Sequence, residues 1–171
     1  MSNNQHGYDE ERIPHTQITY MIQITKIFHF EMAHAIFGYE GACKNIHGHS
    51  YELHVSVAAA SGNRDYIPAP GFVVDFSEIK KAVNKTVIEQ FDHALLLSEA
   101  FLSVNPAFSS QENLVIWPME PTVENMLVFI MKTLSAGLPS TLRLAALKLY
   151  ETKNSYAEWT NDNIFNKQPA L

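Results

Sequence analysis

A single cysteine in 171 residues leaves no partner for an intrachain disulfide, which excludes the stapled secreted scaffolds. Positive charge is also scarce. Twelve Lys and Arg face eighteen Asp and Glu, for a net charge of −6, and no basic stripe is visible, so a broad nucleic-acid surface is not expected. No apolar run reaches the ~18 residues of a membrane span. The opening MSNNQHGYDEERIPHTQ lacks the apolar core of a signal peptide. The expectation is a soluble, cytoplasmic protein without a membrane or nucleic-acid partner. With 46% hydrophobic and 18% charged residues, the composition is globular. The length suits one domain able to bury roughly two-thirds of its unfolded surface. What the chain does have is histidine, eight in all.

Residues 1–17 are polar and aperiodic and read as a tail, followed by one domain over 18–171. Ile22, Ile24, Phe28, Phe30 and Met32 share one parity, with Lys26 as the exception, which predicts a strand with one apolar face. A second strand is expected from about Ile46 to Ala59, with Tyr51, Leu53, Val55 and Val57 on one side. The run SGNRDYIPAPG is turn chemistry. Asp75 with Glu78 three residues on resembles a capping box, and Ile79, Ala82, Val83 and Val87 continue at helical spacing toward Phe91. Residues 98–120 read as a long connection, a length usually tied to function, subunit contact or insertion. Thr122 caps a second helix with Glu124 in its first turn, where the helix dipole favours an anion. Gly137 and Pro139 end it. Strands are expected over Leu142 to Thr152 and Tyr156 to Trp159. The resulting ββααββ order suits an α+β fold, an antiparallel sheet with both helices on one face.

His47-Gly48-His49 is the sharpest feature. Residues i and i+2 of a strand share a face, so both imidazoles project together and continue the core-facing row of Tyr51 and Leu53. His34 continues the parity of Phe30 and Met32 on the preceding strand. If the strands pair, three imidazoles converge at one end of the sheet. Three histidines with a fourth position open is the layout of a catalytic zinc site. An isolated His-x-His is more often a satisfied structural pair; the matching parity of His34 and the nearby Cys43 shift the balance toward metal. His29 and His54 fall on the opposite parity and are expected on a solvent face. His6 and His15 lie in the tail.

Cys43, four residues before His47 and next to Lys44, is a candidate base or nucleophile, since a nearby cation favours the thiolate. It could equally be a buried inert thiol or a fourth zinc ligand. Asp92-His93 could form an orienting carboxylate–imidazole pair only past the helix end, because neighbours in a helix do not face each other; otherwise it is an ordinary polar helix terminus. Glu151 shares parity with Leu147 and Leu149. A carboxylate on an apolar face needs a partner, and a guanidine-like donor edge would serve, unless the strand end simply reaches water.

Taken together, Phe30 to His34, Cys43-x-x-x-His47-Gly-His49-Ser-Tyr51, Gly71 to Phe76, Phe91-Asp92-His93 and Tyr150-Glu151-Thr152 resemble, in order, the motifs of the 6-pyruvoyltetrahydropterin and 6-carboxytetrahydropterin synthases. The likeness spans Met21 to Trp159. The three-residue gap between Cys43 and His47 is similar to the bacterial carboxytetrahydropterin branch. The resemblance implies a tunnelling fold of four antiparallel strands and two helices. Its subunits assemble as trimers, commonly paired into hexamers, with active sites between chains. It implies zinc on His34, His47 and His49, Cys43 as the proton-abstracting thiolate, and Asp92 and His93 as the acid/base pair. It implies Glu151 anchoring the pterin, with Thr122 or Glu124 near the same pocket.

The implied reaction converts 7,8-dihydroneopterin triphosphate to 6-carboxy-5,6,7,8-tetrahydropterin with release of acetaldehyde and triphosphate, in the pathway to queuosine. The alternatives are triphosphate elimination to 6-pyruvoyltetrahydropterin, a non-catalytic pterin- or metal-binding homologue, and a small structural zinc protein closed by Cys43. Two departures stand out: Ala35 replaces the basic residue usual after the first zinc histidine, and the 98–120 connection is longer than the family's.

Overall fold

The computed structural model describes residues 21–61 and 66–165; the tail expected over 1–17 lies outside them. Strand β1, Gln23–His34, pairs antiparallel with β2, His47–Ala59. Phe28, Phe30 and Met32 on β1 and Tyr51, Leu53, Val55 and Val57 on β2 are all buried, as their alternation requires. The Phe30 and Tyr51 rings, directly opposite in register, stack with centroids 5.0 Å apart. Helix α1, Phe76–Val83, starts where the Asp75 carboxylate accepts the Ser77 N–H at 2.7 Å. It continues through a π turn, Asn84–Ile88, into a last turn α2, Glu89–Phe91. Ile79, Val83, Val87 and Phe91 are spaced by four and all essentially inaccessible. In an α-helix each step of four rotates a side chain by about 40°, so the row would drift off the sheet. The wider π turn takes up that drift and keeps Phe91 in the core.

The chain then departs from the expected topology. Ala94–Ser98 forms β3, which runs parallel to the end of β1, and Leu114–Trp117 forms β4, parallel to β3. Between them lie α3, Glu99–Val104, and a 3₁₀ turn, Pro106–Ser110. The expected loop over 98–120 is thus a built extension of the sheet. Helix α4, Val123–Gly137, is followed by β5, Leu142–Thr152, antiparallel to β2, then β6, Ser155–Thr160, and a short α5, Asp162–Phe165. The sheet is six-stranded and mixed, in the order β4-β3-β1-β2-β5-β6. The expected four-stranded antiparallel ββααββ sheet describes its centre and one edge only. The strand missed first, β3, is buried throughout and has no alternation to reveal it.

Both long helices do pack on one face. Ile79, Val83 and Val87 of the first, and Met126, Ile130 and Leu134 of α4, share one core with the inward rows of β1, β2 and β5. Helix α3 sits apart, where Phe101 packs with Ala35, Leu95 and Leu97 in a second cluster. Ala35, where the resemblance leads one to expect a basic residue, is wholly inaccessible in that cluster. A charge there would be buried without a partner in an apolar setting, so the extension and the small residue belong together.

Candidate active site

The antiparallel register places the last residue of β1, His34, opposite the first residue of β2, His47, and Met32 opposite His49. The three imidazoles therefore meet at the end of the sheet, with ring centroids 4.6 to 5.3 Å apart. Gly48 lies between two of them, and a Cβ there would make a tight contact, 3.3 Å from the Met32 carbonyl oxygen. The ring nitrogens facing one another lie within 4.8 Å, close enough for one ion to touch all three.

Backbone carbonyls set the tautomers. The His34 Nδ1–H donates to the Pro121 carbonyl at 2.7 Å, and the His47 Nδ1–H donates to the Asn45 carbonyl at 2.8 Å. Each ring thus turns the lone pair of Nε2 inward, as metal-binding imidazoles do when their other nitrogen is held. The buried Nε2 atoms of His34 and His49 have no hydrogen-bond partner within the protein. Burial holds both imidazoles below their ordinary pKa, outweighing the Glu151 carboxylate that favours their protonated forms. That carboxylate stands close by, its Oε1 3.4 Å from Nε2 of His34 and 3.7 Å from Nε2 of His49. Two unpartnered buried nitrogens beside a carboxylate could share a cation, and the three-histidine donor set fits a divalent transition metal. Cys43 stands outside the group, so these residues do not make a closed four-ligand structural site.

A cleft of about 250 Å³ opens beside the triad, lined by His34, Cys43, Thr122, Glu124 and Glu151 with Ile36, Tyr39 and Val123. Three non-adjacent segments meet there. Cys43 sits exposed in a 3₁₀ turn of the loop joining β1 to β2. Thr122 caps α4, its Oγ1 accepting the Asn125 N–H at 3.3 Å, which puts Glu124 in the first turn as expected. Glu151 ends the inward row of β5, past the pairing of Tyr150 with Tyr156, where the ladder with β6 shifts register. The Tyr51 hydroxyl points at its Oε1 from 3.5 Å. Burial, aided by that carboxylate, pushes the Tyr51 phenol far above its ordinary pKa, so it stays a proton donor.

Asp92 and His93 lie elsewhere. They follow the end of α2, as their adjacency demands, with the His93 Nδ1 3.0 Å from the Asp92 Oδ1. His93 adopts φ +62°, a conformation disfavoured for a side chain with a Cβ. Three bonds hold the turn. The His93 N–H donates to the Glu31 carbonyl at 2.6 Å, the Glu31 N–H donates to Asp92 Oδ1 at 3.0 Å, and Asn113 Nδ2 donates to the His93 carbonyl at 2.7 Å. His93 lines a second cleft, of about 330 Å³, with Glu31, Gly48, His49, Ser50 and Asn113. Within one chain Cys43 and His93 are therefore not brought together. Tyr51 was read as a core strand residue without a role at the site, and Tyr39 and the carbonyls of Asn45 and Pro121 went unread in the sequence. Only Tyr51 carried a signal, as the next residue of the His47–His49 row; a backbone carbonyl carries none. His29 and His54 fall on the outer face, sharing the Glu52 carboxylate at 3.9 and 2.6 Å.

Known proteins resemble this chain in sequence or in fold. A protein of Haemophilus influenzae named 6-carboxy-5,6,7,8-tetrahydropterin synthase is 30% identical over 148 residues, covering 81% of this chain and 99% of that protein. One of the same name from Aquifex aeolicus is 28% identical over 165 residues, covering 82% and 98%. Among solved structures, an uncharacterised protein of Wolinella succinogenes superposes with a TM-score of 0.68 at 18% identity over 82% of this chain and 98% of that one. The 6-pyruvoyl tetrahydropterin synthase of Caenorhabditis elegans does so with a TM-score of 0.58 at 19% identity over 84% and 99%. The family model for 6-pyruvoyl tetrahydropterin synthase matches residues 23–162, from the first residue of β1 to beyond β6, and the chain belongs to that family.

Proposed function

We propose that this protein converts 7,8-dihydroneopterin triphosphate and water to 6-carboxy-5,6,7,8-tetrahydropterin, releasing acetaldehyde and triphosphate, with zinc held by His34, His47 and His49. The observation that carries the reading is the single cleft that joins His34 of the triad to Cys43, Glu151, Thr122 and Glu124. The Haemophilus and Aquifex relatives, named for this product, support the carboxy branch over the pyruvoyl branch.

His34, His47 and His49 would hold the zinc, which would supply Lewis-acid chemistry to the substrate side chain. Glu151 binds the pterin. Its carboxylate presents two acceptors to the adjacent N–H donors of the 2-amino-pyrimidinone edge, in the manner of a carboxylate and an arginine fork. Glu124 and Thr122 border the same ring. Cys43, as thiolate, removes the proton from the side-chain carbon. Asp92 holds the His93 ring through Nδ1, leaving Nε2 to pass protons. Because Cys43 and His93 open into different clefts of one chain, a complete site takes the thiol from one subunit and the imidazole from another, in a trimer or a pair of trimers.

The test is to incubate zinc-loaded protein with 7,8-dihydroneopterin triphosphate and identify the products by mass. Carboxytetrahydropterin with acetaldehyde is the expected outcome. Pyruvoyltetrahydropterin would move the protein to the other branch with the same residues. No turnover by folded, metal-loaded protein would leave a binding homologue.

A further inference from the structure

Between Phe37 and Ile46 the loop that carries Cys43 contains no buried residue. Its large apolar side chains, Phe37, Tyr39 and Ile46, are only partly covered, so hydrogen bonds carry much of its geometry. Its own turn is closed by the Lys44 and Asn45 amides on the Gly41 and Ala42 carbonyls, and two consecutive amides at its root fasten it further. The Ile36 N–H donates to the Cys43 carbonyl at 2.8 Å, closing the loop on itself. The next amide, Phe37 N–H, donates to the Glu120 carboxylate at 2.7 Å, across 83 residues of sequence. Glu120 is itself anchored, its carbonyl accepting the Asn125 Nδ2 and the Thr122 N–H, each at 2.9 Å. The adjoining Pro121 carbonyl holds the His34 ring, and Thr122 caps α4.

One short segment, 120–122, thus carries the loop of the thiol, the ring of a metal-site histidine and the start of the helix lining the cleft. We propose that Glu120 is a positioning residue that sets the Cys43 thiol relative to His34 by fastening the loop root at Phe37 to that segment. A carboxylate is the suitable group for this. It reaches the amide from the segment before α4, and its charge makes the bond roughly twice as strong as a neutral one. The Glu120 carboxylate belongs neither to the triad nor to the lining of the cleft, so this side chain acts on the reaction through the loop of Cys43. The catalytic part of this inference rests on the role proposed above for Cys43; the ordering of the loop does not.

The experiment compares zinc-loaded full-length protein with Glu120→Ala, Glu120→Asp and Glu120→Gln. It measures amide hydrogen exchange by mass spectrometry together with kcat and KM for 7,8-dihydroneopterin triphosphate. In Glu120→Ala, exchange over residues 36–46 should speed up about tenfold while α4 peptides stay unchanged. Kcat should fall about tenfold with KM within about twofold, since the thiol is misplaced and the pterin contacts are intact. Glu120→Asp keeps the charge and shortens the arm, so it should show the same pattern even if the alanine variant fails to fold. Glu120→Gln keeps an acceptor oxygen without the charge and should restore both readouts in part. Unchanged exchange over 36–46 in the Ala and Asp variants, acceleration shared equally by α4, or failure of Gln to restore the loop even in part would overturn the proposal. If the wild-type protein turns nothing over, the reading of the reaction falls, while the exchange data still decide what Glu120 does.

Discussion

The Pro121 carbonyl can only accept, so the neutral His34 ring must carry its proton on Nδ1 and turn a lone pair into the site. That assignment makes two residue-scale outcomes predictable. The first concerns pH. The folded, metal-free chain resists protonation of His34 and His49 because both are partly or wholly buried, whereas the unfolded chain takes up these protons near pH ~6.5. The contribution of these rings to stability is therefore complete above that value and is lost as pH falls below it. The urea midpoint of metal-free protein should be lower at pH 5.5 than at 7.5, and the drop should shrink in His34→Gln. The second concerns Cys43. It lies outside the metal-donor group yet lines the cleft, so Cys43→Ala should bind one zinc as the wild type does and lose turnover by about 10²-fold or more. Loss of zinc together with activity would make the thiol a ligand instead.

The turn between α2 and β3 is the element in which backbone strain and proposed function coincide. His93 is held at φ +62° by bonds to Glu31 and Asn113 while most of its ring faces solvent. Glycine takes this conformation without the Cβ clash. His93→Gly should therefore leave the midpoint unchanged or raise stability by up to about 1 kcal/mol, while turnover falls for want of the imidazole. A destabilised, fully active variant would show that the ring is structural. The connection that follows comes back to the same turn. Asn113 reaches back to the His93 carbonyl, and its own carbonyl accepts the Leu95 N–H at 2.9 Å. The residues between build α3 and lead into the added strand β4.

For the whole molecule, the separation of the two clefts is decisive. Inactive Cys43→Ala and His93→Ala chains, unfolded together and refolded at equal ratio, should recover about a quarter of wild-type activity if each site draws its thiol and imidazole from different chains, and none if each site belongs to one chain. Turnover of the mixed preparation, with its mass measured alongside, checks both the sharing and the oligomer. Among the described residues no helix is long and apolar enough to cross a membrane.

Period and capping chemistry are local, and what they control was legible in the residues. The alternation of Phe28 to His34 and His47 to Val57 set which side chains face inward. Asp75 and Thr122 set where two helices begin, and the parity of His34 with His47 and His49 predicted their convergence. Registry, tautomer and adjacency across the chain are not local. Only the tertiary structure decided that His34 lies opposite His47, that carbonyls of Pro121 and Asn45 orient the rings, and that Glu120 reaches Phe37. It also decided that Ala94–Ser98 and Leu114–Trp117 join the sheet as parallel strands. A strand buried on both sides shows an apolar run without alternation, and a contact spanning 83 residues depends on the path of the chain between its ends.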